Sequence, residues 1–166
     1  MRGTVWVFGD EVNTDVITPS DYFGEPIEVM AEHIFEPERP DFVDEFEVGD
    51  IVVAGHHFGS GSSRESAPAS IQAAGLGAVV AESFSRIFYR NAIAIGLPAV
   101  TCPGVSELFT EGDEAEIDLE AGVVRNLTTG EELEAEPLPE AIQDVFDRGG
   151  LVELYRNDPE GLRIEE

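Results

Sequence analysis

The sequence predicts an α/β fold built on a mixed sheet with crossover helices, and three observations carry that expectation. "DIVVAG" at 50–55, "AVVAES" at 78–83 and "LPAVTC" at 97–102 are short apolar runs of strand length, separated by two stretches of helical periodicity. Strand, helix, strand, helix, strand at this spacing makes parallel neighbours, because a crossover long enough to hold a helix brings the chain back in the same direction. The last third instead shows short alternating runs around a Thr129-Gly130 turn, the pattern of antiparallel hairpins.

Taken in order, "TVWVFG" at 4–9 alternates and is rich in β-branched and aromatic residues, which predicts the first strand. In "DEVNTDVITPSDYF" the turn formers Asn13, Asp15 and Pro19 argue against any regular element. A helix is expected over "PIEVMAEHIF" at 26–35, and an exposed acidic connection over "EPERPDFVDEFEVGD". The strand at 50–55 then runs into "GHHFGSGSSRES" and a helix from about Ser63 that closes on glycines. "SRIFYRNAIAIG" at 85–96 reads as the second crossover helix, with Ile87, Phe88 and Ile95 as its packing residues. Beyond the hairpin strands, "LPEAIQDVFDRGG" predicts a helix ended by glycines.

A chain of 166 residues is the length of one ordinary domain, and residues 1–166 are expected to form a single unit. No apolar run approaches the roughly 20 residues of a membrane span, and the start lacks a signal peptide's apolar stretch, so a soluble, cytoplasmic protein is expected. Net charge is -26, from 35 Asp plus Glu against nine basic residues, all arginine. Patterned apolar residues at 42% argue for a folded core rather than disorder. The charge argues against a nucleic-acid partner. Self-repulsion on this scale would be screened in concentrated salt, where the Debye length falls to about 3 Å at 1 M, so a halophilic source is expected. Cys102 is the only cysteine, so the chain can make no internal disulfide and cannot by itself ligate an iron-sulfur cluster. His33, His56 and His57 are too few and too poorly spaced for zinc, and no metal site is expected.

The stretch "GSGSSRES" supports two readings of one geometry. Ser62 at a helix N-terminus would be an N-cap, with Glu65 completing a capping box. The same place would let glycine-exposed N–H groups, the helix dipole and the planar Arg64 fork gather an anion, and would ease deprotonation of a serine hydroxyl. A phosphate-binding loop is excluded, since the Gly-Lys-Ser/Thr ending is missing and the chain has no lysine.

"GSGSSRE" after "DIVVAG", then "AVVAESFSRIFYRNAIAIGLPAV", preceded by "GDEVNTDVITPSDYF", closely resembles the aconitase family, and within it the small subunits of 3-isopropylmalate dehydratases. The resemblance covers residues 4–103 and is less distinctive over 104–155 and the tail 156–166. It implies an aconitase-type swivel domain that closes over a [4Fe-4S] cluster held by a separate large subunit, in a heterodimer or higher hetero-oligomer. It implies a hydro-lyase of leucine biosynthesis, moving a hydroxyl between adjacent carbons of a hydroxy-dicarboxylate through an alkene. By position, Ser62 corresponds to the serine base, Ser63 and Arg64 to residues holding substrate carboxylates, and Asp15 to an orienting aspartate whose plainer reading is an Asx turn. Tyr22, Phe23 and Ile27 fall in the loop that reads the substrate side group, though Ile27 equally suits core packing. Ser66 stands where the family motif has histidine, which widens the field to relatives acting on 2-methylmalate, dimethylmalate or homoaconitate. A non-catalytic anion-binding or regulatory module remains the alternative of another class.

Overall fold

In a computed structural model, residues 1–157 are described. Seven strands, β1 (Arg2–Val7), β2 (Ile51–Ala54), β3 (Ala78–Ala81), β4 (Ala99–Thr101), β5 (Glu114–Asp118), β6 (Val123–Asn126) and β7 (Glu132–Glu134), form one sheet in the order β4-β3-β2-β1-β5-β6-β7. The first four run parallel, with Val5 beside Ile51, Val53 beside Val80 and Val80 beside Val100. At β1 the sheet changes sense: Gly3 pairs antiparallel with Ala115, and β5, β6 and β7 follow as a meander. A mixed α/β fold was the expectation from the apolar runs, and this is its form.

The helices are α1 (Thr14–Ile17), α2 (Ile27–Ala31), α3 (Phe42–Glu45), α4 (Ser66–Ala74), α5 (Arg86–Ile95), α6 (Val105–Leu108), α7 (Glu140–Asp147) and α8 (Leu151–Asn157). None is long and apolar enough to cross a membrane. Because successive strand residues face opposite ways, β2 feeds two cores. Val52 and Ala54 join Phe8, Ile17, Phe35, Phe58, Ile71 and Phe88 under α4 and α5, while Ile51 and Val53 join Val5, Val80, Cys102, Phe109 and Ile117 on the other face. That double burial is why β2 and β3 read as continuous apolar runs rather than alternating ones.

The structure differs from the sequence expectation in several places, each with a physical cause. Residues 14–17 do form a helical turn, because the Asn13 side chain accepts hydrogen bonds from the backbone N–H groups of Asp15 and Val16 at 2.9 and 3.0 Å. The acidic connection hides an aromatic anchor. Phe42 on α3 is buried, with ring centroids 5.0 Å from Trp6 and 5.1 Å from both Phe35 and Phe46, and the Arg39 guanidinium lies 4.6 Å over Phe8. Buried Asp50 fixes the entry to β2 by accepting from Trp6 Nε1 at 2.9 Å and the Glu47 N–H at 2.9 Å. The helix expected over 26–35 shortens to Ile27–Ala31. On α5 the packing stripe is Phe88, Ala92 and Ile95, and Ile87, one residue and about 100° off it, is 49% exposed. Of the tail 156–166, Arg156 and Asn157 belong to α8 and the rest lies outside the described residues.

Candidate active site

The glycine-rich turn is an extension of β2, held on both sides by extensions of its neighbours. On one side Gly55 donates to Gly9 O, Glu11 to His56 O, Gly59 to Val12 O and Thr14 to Ser60 O, all at 2.7–3.0 Å. On the other, Phe58 donates to Ser83 O and Ser85 to Phe58 O, while the Ser85 hydroxyl donates to Gly59 O at 2.7 Å. Gly59 is required here, since its φ is +78° and a Cβ would stand 2.2 Å from the Phe88 ring.

This ladder overturns the capping box. Helix α4 begins at Ser66, Glu65 precedes it with no side-chain cap, and Ser62 lies four residues outside. Pro68 explains the late start: at the third helical position its missing N–H costs nothing, whereas a helix from Ser63 would place it in the interior, deleting a hydrogen bond and clashing with the previous turn. Ser62 is instead tied to α1. Its N–H donates to Thr14 Oγ1 at 3.2 Å, and the two hydroxyl oxygens lie 3.4 Å apart. Gly61 makes the approach possible, because a Cβ there would come 3.1 Å from Thr14 Oγ1.

Asp15 projects from the first turn of α1 and pairs with Arg64, Nη1 to Oδ1, at 3.0 Å. The Asx-turn role belongs to its neighbour Asn13. The Arg64 guanidinium carbon also sits 3.5 Å from the ring centroid of Phe23, itself 38% exposed. Ser62, Ser63, Asp15, Arg64 and Phe23 therefore share one open surface. Tyr22 and Ile27, of the same loop, make other contacts. The Tyr22 ring stacks on His33 at 3.6 Å, and partial burial with the nearby Glu36 carboxylate holds its phenol above the usual value. Ile27 is half-buried on α2, which packs along α4. Ser66 opens α4, also half-buried. Thr14 is the participant that the sequence reading missed; its partner is 48 residues away, and no local pattern announces it.

The site lies apart from a hollow beside the antiparallel strands and α7. The hollow measures about 850 Å³, and the carboxylates of Glu116, Asp118, Glu120, Glu140, Asp144 and Asp147 that line it outnumber Arg2 and the Met1 amine and would repel a dicarboxylate. Nor can the chain hold an iron-sulfur cluster. Cys102 is wholly buried in the second core, where burial, reinforced by the Glu82 charge, pushes its thiol up to about 11. Among the described residues no three His, Cys, Asp or Glu side chains gather as a metal site.

Residues 27–103 match the family described as the aconitase C-terminal domain. A "3-isopropylmalate dehydratase small subunit 1" from Methanopyrus kandleri is 50% identical over 95% of this chain and 94% of its own. The chain belongs to the 3-isopropylmalate dehydratase small-subunit family. It is a subunit-type member of the aconitase family of hydro-lyases. Another member, the "isopropylmalate/citramalate isomerase small subunit" of Methanocaldococcus jannaschii, is 48% identical over 92% of this chain and 91% of its own. A crystal structure of 3-isopropylmalate dehydratase from the same organism superposes with a TM-score of 0.88 at 34% identity, over 95% of this chain and 94% of the other. The aconitase-type small-subunit fold is thus the one observed here, with its parallel half carrying the serine turn.

Proposed function

We propose that this chain is the small subunit of an enzyme interconverting 2- and 3-isopropylmalate in leucine biosynthesis. In this reading it supplies the base and the carboxylate contacts to a large subunit that holds a [4Fe-4S] cluster. The observation that carries the reading is the convergence of two distant motifs, 13–15 and 59–64, in which Ser62 contacts Thr14 and Arg64 pairs with Asp15 on an exposed part of the chain. An open half-site is what a subunit closing over another would need.

Ser62 takes the proton from the carbon next to the substrate carboxylate and returns one on rehydration. The Arg64 fork, given up by Asp15, holds that carboxylate in two parallel hydrogen bonds and stabilises the charge that builds on it, with Ser63 donating beside it. Asp15 then orients Arg64. Phe23 faces the isopropyl group, and Tyr22 and Ile27 fix the loop behind it. A cluster held by the partner would supply Lewis-acid chemistry toward the departing hydroxyl. The relative named for both isopropylmalate and citramalate supports 2-methylmalate as a second substrate, since a pocket that fits an isopropyl group rejects a smaller one only weakly, by about 1–3 kcal/mol per methylene.

The test is Ser62→Ala in the complex reconstituted anaerobically with its large subunit. Turnover of 2-isopropylmalate is lost while the complex still forms; full activity in this variant rejects Ser62 as the base. We further infer that the acidic surface is an adaptation to concentrated salt, and that 1–166 acts as one closing unit, in a heterodimer or a higher assembly.

A further inference from the structure

We propose that Thr14 is the positioning residue for Ser62, donating its hydroxyl hydrogen to the serine oxygen and so favouring the ionised base. The inference rests on the reading of Ser62 as that base. A serine alkoxide needs nearby donors or positive charge, and the expected source, a helix N-terminus at Ser62, is absent because α4 starts at Ser66 and a helix dipole fades beyond its first turn.

Thr14 stands in the vacated role. It is 2% exposed, with its N–H given to Ser60 O at 2.8 Å and its carbonyl taking the Thr18 N–H at 2.9 Å. Its Oγ1 accepts the Ser62 N–H at 3.2 Å, which leaves one hydroxyl hydrogen to place, and Ser62 Oγ is 3.4 Å away. With Ser62 neutral, either oxygen can be the donor; with Ser62 ionised, only Thr14 can, so the contact strengthens on ionisation and lowers its cost. A β-branched residue suits the task, because two heavy atoms on Cβ restrict χ1 and keep the hydroxyl aimed.

The experiment uses Thr14→Val and Thr14→Ser in the reconstituted complex. Valine keeps the shape and loses the hydroxyl, so kcat falls about tenfold or more, the loss of a hydrogen bond to a charged group, while KM stays within about twofold. The pH at which kcat rises moves up by about one unit, and serine restores both. Should the valine variant not assemble, Thr14→Ala carries the same readouts. An unchanged kcat in the hydroxyl-free variant overturns the proposal, as does a serine variant that falls as far. If Ser62→Ala itself retains turnover, the base assignment fails instead, and the two failures are distinguishable.

Discussion

The Arg64 guanidinium and the Asp15 carboxylate meet at 3.0 Å across 49 residues of chain, with the Phe23 ring closing the other side of the guanidinium at 3.5 Å. A carboxylate thus already occupies the fork in the free chain, and a substrate carboxylate must take its place. Arg64→Lys keeps the charge but loses the planar fork and the stacking on Phe23. The expected outcome in the assembled enzyme is a loss of about 10- to 100-fold in kcat/KM, mostly through a raised KM. Steady-state rates on 2-isopropylmalate measure it, and an unaltered KM would remove Arg64 from substrate binding.

Gly59 sets the geometry behind the serine turn. A methyl group there meets the Phe88 ring at 2.2 Å and forces an L residue to φ +78°. Gly59→Ala should destabilise the chain by about 1–3 kcal/mol from overpacking, with backbone strain added. Because Phe88 belongs to the first core, the displacement also shifts residues 60–62 away from Thr14. Thermal melts of the chain alone show the first effect and turnover of the complex the second; a variant with wild-type stability contradicts both.

The parallel half was legible because β2 and β3 are uniformly apolar and α4 and α5 end on Gly75 and Gly96 in the left-handed conformation. The start of α4 is written in Pro68, a signal the Ser-Ser-Arg-Glu reading left unused. Phe42 escaped because its neighbours are acidic and proline-broken; its burial depends on Trp6 and Phe8, far away in sequence, as well as on Phe35. The serine, arginine and aspartate of the site came from a family resemblance. What joins them, Thr14 to Ser62 and Asp15 to Arg64, is tertiary and left no periodic trace.

Glu111 gives a pH dependence of defined sign. It pairs with Arg39 at 2.6 Å and accepts the Val7 N–H at 3.1 Å, and the Arg39 hydrogen bond is the main cause holding its carboxyl below the usual carboxylate range. A depressed carboxyl contributes stability that is fully present above the unfolded value, near 4.3, and lost as pH falls through the folded one. Glu111→Gln should therefore cost about 1 kcal/mol or less at pH 7, given the exposure of the pair, and the gap to wild type should close as pH falls below about 4. Denaturant unfolding of both chains from pH 7 to 3 tests this; a gap that widens on acidification refutes it.

The charge makes the most general prediction. Among the described residues, the acidic groups paired with arginine are Asp15, Glu111, Glu116, Glu132 and Glu153, and the net charge of the sequence is -26. Most carboxylates therefore face one another across water rather than across a salt bridge. Their mutual repulsion acts over about 10 Å at 0.1 M salt and over about 3 Å at 1 M, so added KCl removes a cost borne only by the compact state. The melting temperature should rise on the order of 10 °C between 0.1 and 2 M KCl, the equivalent of a few kcal/mol for a chain of this size. Sucrose, which favours burial without screening, is the control: it should give a smaller rise. A melting temperature that is flat or falls in KCl would show that the acidic surface carries no such cost, and the salt-adapted reading would go with it.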